Sequence, residues 1–373
     1  MDEASRDIDE KPAPALRRGW TTGSCATAAA RAAYGALVTG AFADPVEIVL
    51  PNGARVAFTL AREEIGPDFA RAGVVKDAGD DPDVTHGALV IATVRRAPLG
   101  AGIVFEAGEG VGTVTLPGLP LPVGEPAINP VPRQMIRENL AEAASMLGGP
   151  QDLVVEIAIP GGEALAERTL NPRLGIVGGL SVLGTTGIVV PYSCAAWIHS
   201  IHRGIDVARA GGIAHVAGAT GATSEAAVQM LYGLPDQALI DMGDFCGGML
   251  KYIRKNPVQR VTIAGGIAKM TKLGQGLLDL HSRAGAVDKD WLAERLAEAG
   301  ADAATAEAAR SANTALAVLD GAKAAGLPLG DVVARHAWAH AAKALRGAQV
   351  ALEIVVFDRE GRLVGRAPFH PVA

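Results

Sequence analysis

Aromatic side chains are scarce in this 373-residue sequence, where Phe, Tyr and Trp together make up 4%. A core so short of rings must be closed by aliphatic and small side chains. The 46 glycines add tight turns and close backbone contacts. Cysteine is nearly absent: Cys25, Cys194 and Cys246 form no C-x-x-C pair, which argues against a disulfide framework and a four-cysteine zinc site. There is no basic surplus. The 34 Lys and Arg face 40 Asp and Glu, a net charge of −6, which is not the balance of a nucleic-acid binder. Neither G-x-G-x-x-G nor G-x-x-x-x-G-K-[ST] occurs, so neither a dinucleotide fingerprint nor a P-loop is read. Residues 1–15 lack the apolar run of a signal peptide and read as a mobile polar tail, with the cytoplasm as the expected compartment.

What is present is apolar residues at 49%, enough for two full cores at this length. Residues 174–202 carry no Asp, Glu, Lys or Arg. Five glycines, Pro191 and two histidines interrupt them, so they read as strand, loop and helix start rather than a membrane span. The first half, 16–171, reads as an α+β domain. A helix begins near Ser24, read as its N-cap, with Ala26, Ala29, Ala30, Ala33 and Leu37 on one face. Strands follow at 46–50, 56–60, 88–94, 103–106 and 153–159, the first two joined through Asn52-Gly53, and a helix spans 133–146. From 172 to 345 apolar runs at 174–177, 188–190, 214–217, 238–241 and 261–264 alternate with helices near 195–210, 224–232 and 247–255. That rhythm predicts an α/β Rossmann-like domain with a mostly parallel sheet, whose ligand sits at the carboxyl ends of its strands. Residues 346–373 read as a closing β-hairpin of unassigned sheet.

Several segments could carry chemistry. Thr21-Thr22-Gly23-Ser24 is either a simple N-cap or a cradle for an anion. Asp77, Asp80, Asp81 and Asp83 crowd one loop, which calls for a cation among them: Lys76, Mg2+ or a charged ligand; the alternative is a solvated turn. The proline-stiffened loop 124–133 ends on Arg133, a cation at a helix start that needs a partner. Gly184-Thr185-Thr186-Gly187 and Gly218-Ala219-Thr220-Gly221 offer backbone to a nucleotide. His199/His202 lie at i, i+3 and His336/His340 at zinc spacing; H-A-W-A-H lacks the Glu of H-E-x-x-H, which argues against a metalloprotease, and both pairs read as ordinary polar or core histidines. Lys251, Arg254, Lys255, Lys269 and Lys272 form either a solvated face or a cationic rim for a polyanion.

Six stretches, taken in order, resemble the cobalt-precorrin-5B C1-methyltransferase (CbiD) family of anaerobic cobalamin biosynthesis. They are 16–37 (LRRGWTTGSCATAAARAAYGAL), 75–85 (VKDAGDDPDVT), 124–136 (GEPAINPVPRQMI), 178–193 (GGLSVLGTTGIVVPYS), 242–251 (MGDFCGGMLK) and 264–281. Cys246 and Ala219 depart from the family pattern. The resemblance implies an enzyme that moves a methyl group from S-adenosylmethionine to ring carbon C1 of cobalt-precorrin-5B, giving cobalt-precorrin-6A. Cobalt would arrive in the substrate, so no protein metal site is implied. The donor is expected near Gly184, Thr186, Gly187, Gly218, Gly221 and Asp244. The tetrapyrrole is expected between the halves, near Thr22, Ser24, Asp77, Asp80 and Arg133. Asp77, Asp80, Asp83, His199 and His281 are the candidate bases. The expected partner is the small-molecule tetrapyrrole, with no nucleic acid and no membrane; a homo-oligomer stays open. A tetrapyrrole carrier and an NAD-dependent oxidoreductase are the alternatives.

Overall fold

A computed structural model of the chain describes residues 16–372; the tail read at 1–15 lies outside the described residues. The fold is mixed α/β, built as two compact units. The first comprises 16–113, 125–169 and Val177–Ser193; the second comprises Val114–Gly124, Leu170–Ile176 and 194–372. The division therefore differs from a single cut at 171/172. Residues 177–193 belong with the first unit and 114–124 with the second.

In the first unit the helix Thr22–Thr39 is wrapped on nearly all sides, its alanines at 26, 28, 29, 30, 32, 33 and 36 all buried. Side chains this small let it lie close to the strands Phe69–Val75 and Leu89–Arg96 and to the helix Pro130–Leu147. Its N-cap is Thr21, whose hydroxyl accepts from Ser24 N at 3.2 Å, not Ser24 as the sequence suggested. Pro130 starts the second helix three residues earlier than expected, because a proline at the first helical turn needs no partner for a missing N–H. Asn139 straps that helix to the strand Val46–Val49: its side chain donates to Val49 O at 2.9 Å and accepts from Val49 N at 2.8 Å.

The sheet of this unit has the order Arg62–Ile65, Phe69–Val75, Leu89–Arg96, Leu153–Ala158, Ile103–Ala107. Only the last pair is parallel. The sequence reading missed its first two strands. Arg71 interrupts the apolar alternation of the second, and only the fold gives it partners, Thr93 at 2.9 Å and Glu64 at 3.0 Å.

The second unit holds a five-stranded sheet ordered Leu239–Asp241, His215–Ala219, Arg260–Gly266, Ala351–Phe357, Leu363–Pro371. The first four strands are parallel and the last is antiparallel. The closing hairpin thus completes this sheet. It is locked by Glu353, fully buried, which accepts from Thr262 Oγ1 at 2.9 Å and Arg366 Nε at 2.8 Å and also from the Tyr232 hydroxyl.

Helices Cys194–Ala210, Ala222–Tyr232 and Cys246–Lys255 fall where the sequence put them. Two expected strands do not join this sheet: Ile176–Val177 pairs with Thr113–Val114, and Ile188–Val189 pairs antiparallel with Gly19–Trp20. Both are two residues long, and the glycines between them turn the chain before a longer strand can form. No helix among the described residues is long and apolar enough to cross a membrane.

Candidate active site

The sites expected near the first helix are largely filled by the chain itself. The loop 183–187 lies across the start of Thr22–Thr39. Gly23 N donates to Leu183 O at 2.9 Å, Thr21 N to Gly187 O at 3.1 Å, and Ser24 Oγ to Gly187 O at 2.7 Å. Ser24 is fully buried and Thr22 nearly so. Gly184 has φ +140°, and a Cβ there would stand 2.2 Å from Thr21 Oγ1. Glycine is needed for this close approach, and the Leu183 and Gly187 carbonyls accept at the helix start that the sequence left as either an N-cap or an anion cradle. Thr186 is exposed, its hydroxyl 3.1 Å from Ile188 O. Gly184, Thr186 and Gly187 therefore lie in a different unit from Gly218, Gly221 and Asp244, with which the sequence had grouped them.

The acidic loop has its cations. Asp77 takes a two-pronged ion pair from Arg17 and a bond from Gly79 N at 2.9 Å; the hydrogen bonds from Arg17 and Gly79 hold its carboxyl at about 2. Asp80 accepts from Arg17 N at 2.6 Å and Asp81 from Tyr192 N at 2.9 Å. Asp83 pairs with Lys76, which is 2% exposed. Burial pushes the Asp83 carboxyl up, but the Lys76 ammonium and Thr85 outweigh it and leave it below its usual range. Lys76, one of the cations the sequence allowed, sits among these acids, joined by Arg17. The partner that Arg133 needed is its own loop: Nε to Ile128 O at 2.8 Å, Nη1 to Glu125 at 2.8 Å, Nη2 to Pro126 O at 3.0 Å. The histidines take neighbours of their own, although the His199 and His202 ring centroids stay 6.2 Å apart. His202 stacks on Tyr252, and burial lowers its pKa; His336 meets Glu298 at 2.9 Å; His199 and His281 are exposed.

A different arrangement stands at the carboxyl edge of the parallel sheet. The chain leaves His215–Ala219 toward Leu239–Asp241 on one side and leaves Arg260–Gly266 toward Ala351–Phe357 on the other. The crevice between two strands whose exits diverge is the usual ligand position in such sheets. The strand ends are level, with Ala219 in register with both Asp241 and Ala264. Gly218 is inside the sheet, where a Cβ would strike Met249 Sδ at 2.4 Å, whereas a Cβ on Gly221 would meet nothing within 4 Å. Gly221 is thus open backbone at the start of Ala222–Tyr232.

Asp244 forms an ion pair with Lys269, and Lys269 and Lys272 both donate to Leu280 O, at 3.1 and 3.2 Å. These two lysines anchor the segment 278–281 rather than forming an open rim; Lys272 is 7% exposed.

The sequence reading missed four residues here. Arg173 makes two bonds to Glu225, at 2.8 and 2.6 Å, beside Asp241 at the edge-strand end. Burial, then the Glu225 charge, raises the Asp241 pKa against Arg173 and the Gly243 amide. Trp197 donates from Nε1 to Asp241 O at 3.1 Å and stays 45% exposed. One signal was available: Asp241 follows Gly221 by 20 residues at the end of the next strand, the spacing of a ribose-binding acid. Among the described residues no group of three or more His, Cys, Asp or Glu is placed to hold a metal ion.

Family models described as CbiD and as CbiD, C-terminal domain, match residues 9–191 and 279–368. The chain belongs to the CbiD family. Its CbiD relatives include proteins named cobalt-precorrin-5B C(1)-methyltransferase. That of Bradyrhizobium is 70% identical over 94% of this chain and 93% of its own length. That of Methylorubrum extorquens is 64% identical over 94% and 97%, and that of Agrobacterium fabrum 62% over 95% and 94%. A crystal structure of a cobalamin biosynthesis protein (CbiD) from Archaeoglobus fulgidus aligns at 28% identity over 72% of this chain and 83% of its own, with a TM-score of 0.39.

Proposed function

We propose that this CbiD chain, working in the cytoplasm, transfers the methyl group of S-adenosylmethionine to C1 of cobalt-precorrin-5B and yields cobalt-precorrin-6A. The observation that carries the reading is the 70% identity, over 94% of the chain, to a protein named for that reaction. The donor's part is to supply an electrophilic methyl: a carbon–carbon bond forms at C1 as the carbon–sulfur bond breaks, and S-adenosylhomocysteine leaves. The protein's part is orientation, since transfer requires C1, methyl and sulfur in line.

In this reading the second unit acts as a Rossmann-like donor domain. The donor lies at the diverging strand ends, along Thr220-Gly221 and Gly265-Gly266. Open backbone at Gly221 supports that position, because a ligand can approach the main chain there without displacing a side chain. The Asp244–Lys269 pair fixes the neighbouring segment 278–281 through Leu280. If a proton must leave as the macrocycle rearranges, His199 and His281 keep exposed rings, while Asp77 and Asp83 are held in ion pairs. The cobalt is cargo of the substrate.

The test is mass spectrometry of the tetrapyrrole after incubation of the purified chain with S-adenosylmethionine and cobalt-precorrin-5B. Gain of one methyl, dependent on both enzyme and donor, is the expected result. An unchanged mass with folded enzyme and intact substrate would overturn the reading in favour of a tetrapyrrole carrier.

A further inference from the structure

Asp241 and Trp197 are two features at the carboxyl edge of this sheet that internal packing leaves unfinished. Asp241 ends the strand beside His215–Ala219 and stands one strand spacing (about 4.8 Å) from Ala219, the residue that leads into the loop Thr220-Gly221. The guanidinium whose charge acts on it, Arg173, commits Nη1 and Nη2 to Glu225. The Asp241 carboxylate, partly buried, has the Gly243 amide as its nearby donor among the described residues. A carboxylate accepts about four hydrogen bonds, and one partly withdrawn from water is costly until donors reach it. Trp197 supplies the complementary surface. Its indole is pinned to the same turn, with Nε1 on Asp241 O at 3.1 Å and the ring against Gly243, yet 45% of the residue stays in solvent. A fixed, half-exposed indole beside a donor-poor carboxylate is complementary to a flat heterocycle joined to a vicinal diol.

We infer that Asp241 and Trp197 form a nucleoside clamp, with the Asp241 carboxylate accepting the two ribose hydroxyls and the Trp197 ring stacking on the base. This rests on the donor reading above and deepens it, assigning the adenosyl end of the donor to the edge-strand side of Gly221. The clamp reads only the nucleoside. It therefore sets the affinity for donor and product alike and leaves the transfer step itself to orientation elsewhere.

The test is calorimetric titration of the full chain with S-adenosylhomocysteine. Asp241→Asn is expected to weaken binding about ten- to hundredfold, the loss of charge-assisted hydrogen bonds. Trp197→Leu is expected to weaken it about tenfold, the loss of one stacking surface. With adenosine as the probe, wild type should prefer it to 2′-deoxyadenosine, and Asp241→Asn should lose most of that preference, which a merely structural role would not produce. In turnover, both variants should raise the donor KM and leave kcat nearly unchanged. Circular dichroism and melting establish that each variant is folded, and Trp197→Phe, which keeps a ring, should restore most of the affinity. Folded variants that bind like wild type, while Gly221→Val loses binding, would overturn the clamp and leave the donor reading standing. A wild-type chain that fails to bind S-adenosylhomocysteine at all would overturn the donor reading and the clamp with it.

Discussion

Gly184-Thr185-Thr186-Gly187 and Gly218-Ala219-Thr220-Gly221 look alike on paper and do opposite work. In the first, glycine makes room for the chain itself: Thr21 occupies the space a side chain at 184 would need, and Ser24 and Leu50 crowd position 187. In the second, Gly218 makes room for Met249, but Gly221 faces open space. The acids divide the same way. Asp77 and Asp83 are paired with Arg17 and Lys76, whereas Asp241 stands with its neighbouring cation committed elsewhere. Residues whose partners lie within the fold hold the protein together; residues left short of partners at a strand end are the ones a ligand can complete.

The sharpest way to break the comparison is to put the same side chain into both glycine motifs. Gly184→Val should cost about 3 kcal/mol or more in urea unfolding, because its Cβ overlaps Thr21 at a backbone angle that valine resists. Gly221→Val should change stability by less than about 0.5 kcal/mol and instead cost donor affinity. Equal destabilisation of the two would erase the distinction.

The buried pair gives a comparable effect in the first unit. Lys76→Met leaves Asp83 without its cation and should cost about 3 kcal/mol at neutral pH, read from the same unfolding curves. Lowering the pH until Asp83 protonates should return part of that loss.

The two kinds of carboxylate should also show opposite slopes with pH. The Asp77 carboxyl, held at about 2 in the folded chain by Arg17, contributes stability above the ordinary carboxylate range that is lost as pH falls toward 2. Asp241 is raised in the folded chain. Its contribution is therefore fully present below its ordinary pKa and is lost as pH rises through the higher folded value. Asp77→Asn should thus lower the melting temperature at neutral pH. Asp241→Asn should leave stability unchanged or raise it by less than about 1 kcal/mol, while weakening donor binding. A lower melting temperature for Asp241→Asn would mean that its partners are internal after all. The smallest expected effect is that of Thr186→Ala, an exposed hydroxyl in the loop over the first helix, within about 0.5 kcal/mol.

Much of the fold was legible in the chain. The parallel rhythm around 214–264, the two crossover helices Ala222–Tyr232 and Cys246–Lys255 and the closing hairpin follow from apolar runs broken by glycine, which are local signals. Strand 69–75 was not legible, since Arg71 belongs to a sheet face defined only by its neighbours Thr93 and Glu64. Nor was the placement of 177–193, a charge-poor stretch whose two-residue strands find partners far away in sequence, at Gly19–Trp20 and Thr113–Val114.

By itself, then, the sequence determined the family, through six ordered stretches, and with it the reaction now proposed; it also determined the elements whose periodicity is local. Only the tertiary structure decided which glycines are packed and which are open, which acids are paired and which are short of donors, and that Asp241 and Trp197 meet at one strand end. The physical reason is that a residue's type fixes what bonds it can make, while burial and long-range register fix which of them are already made.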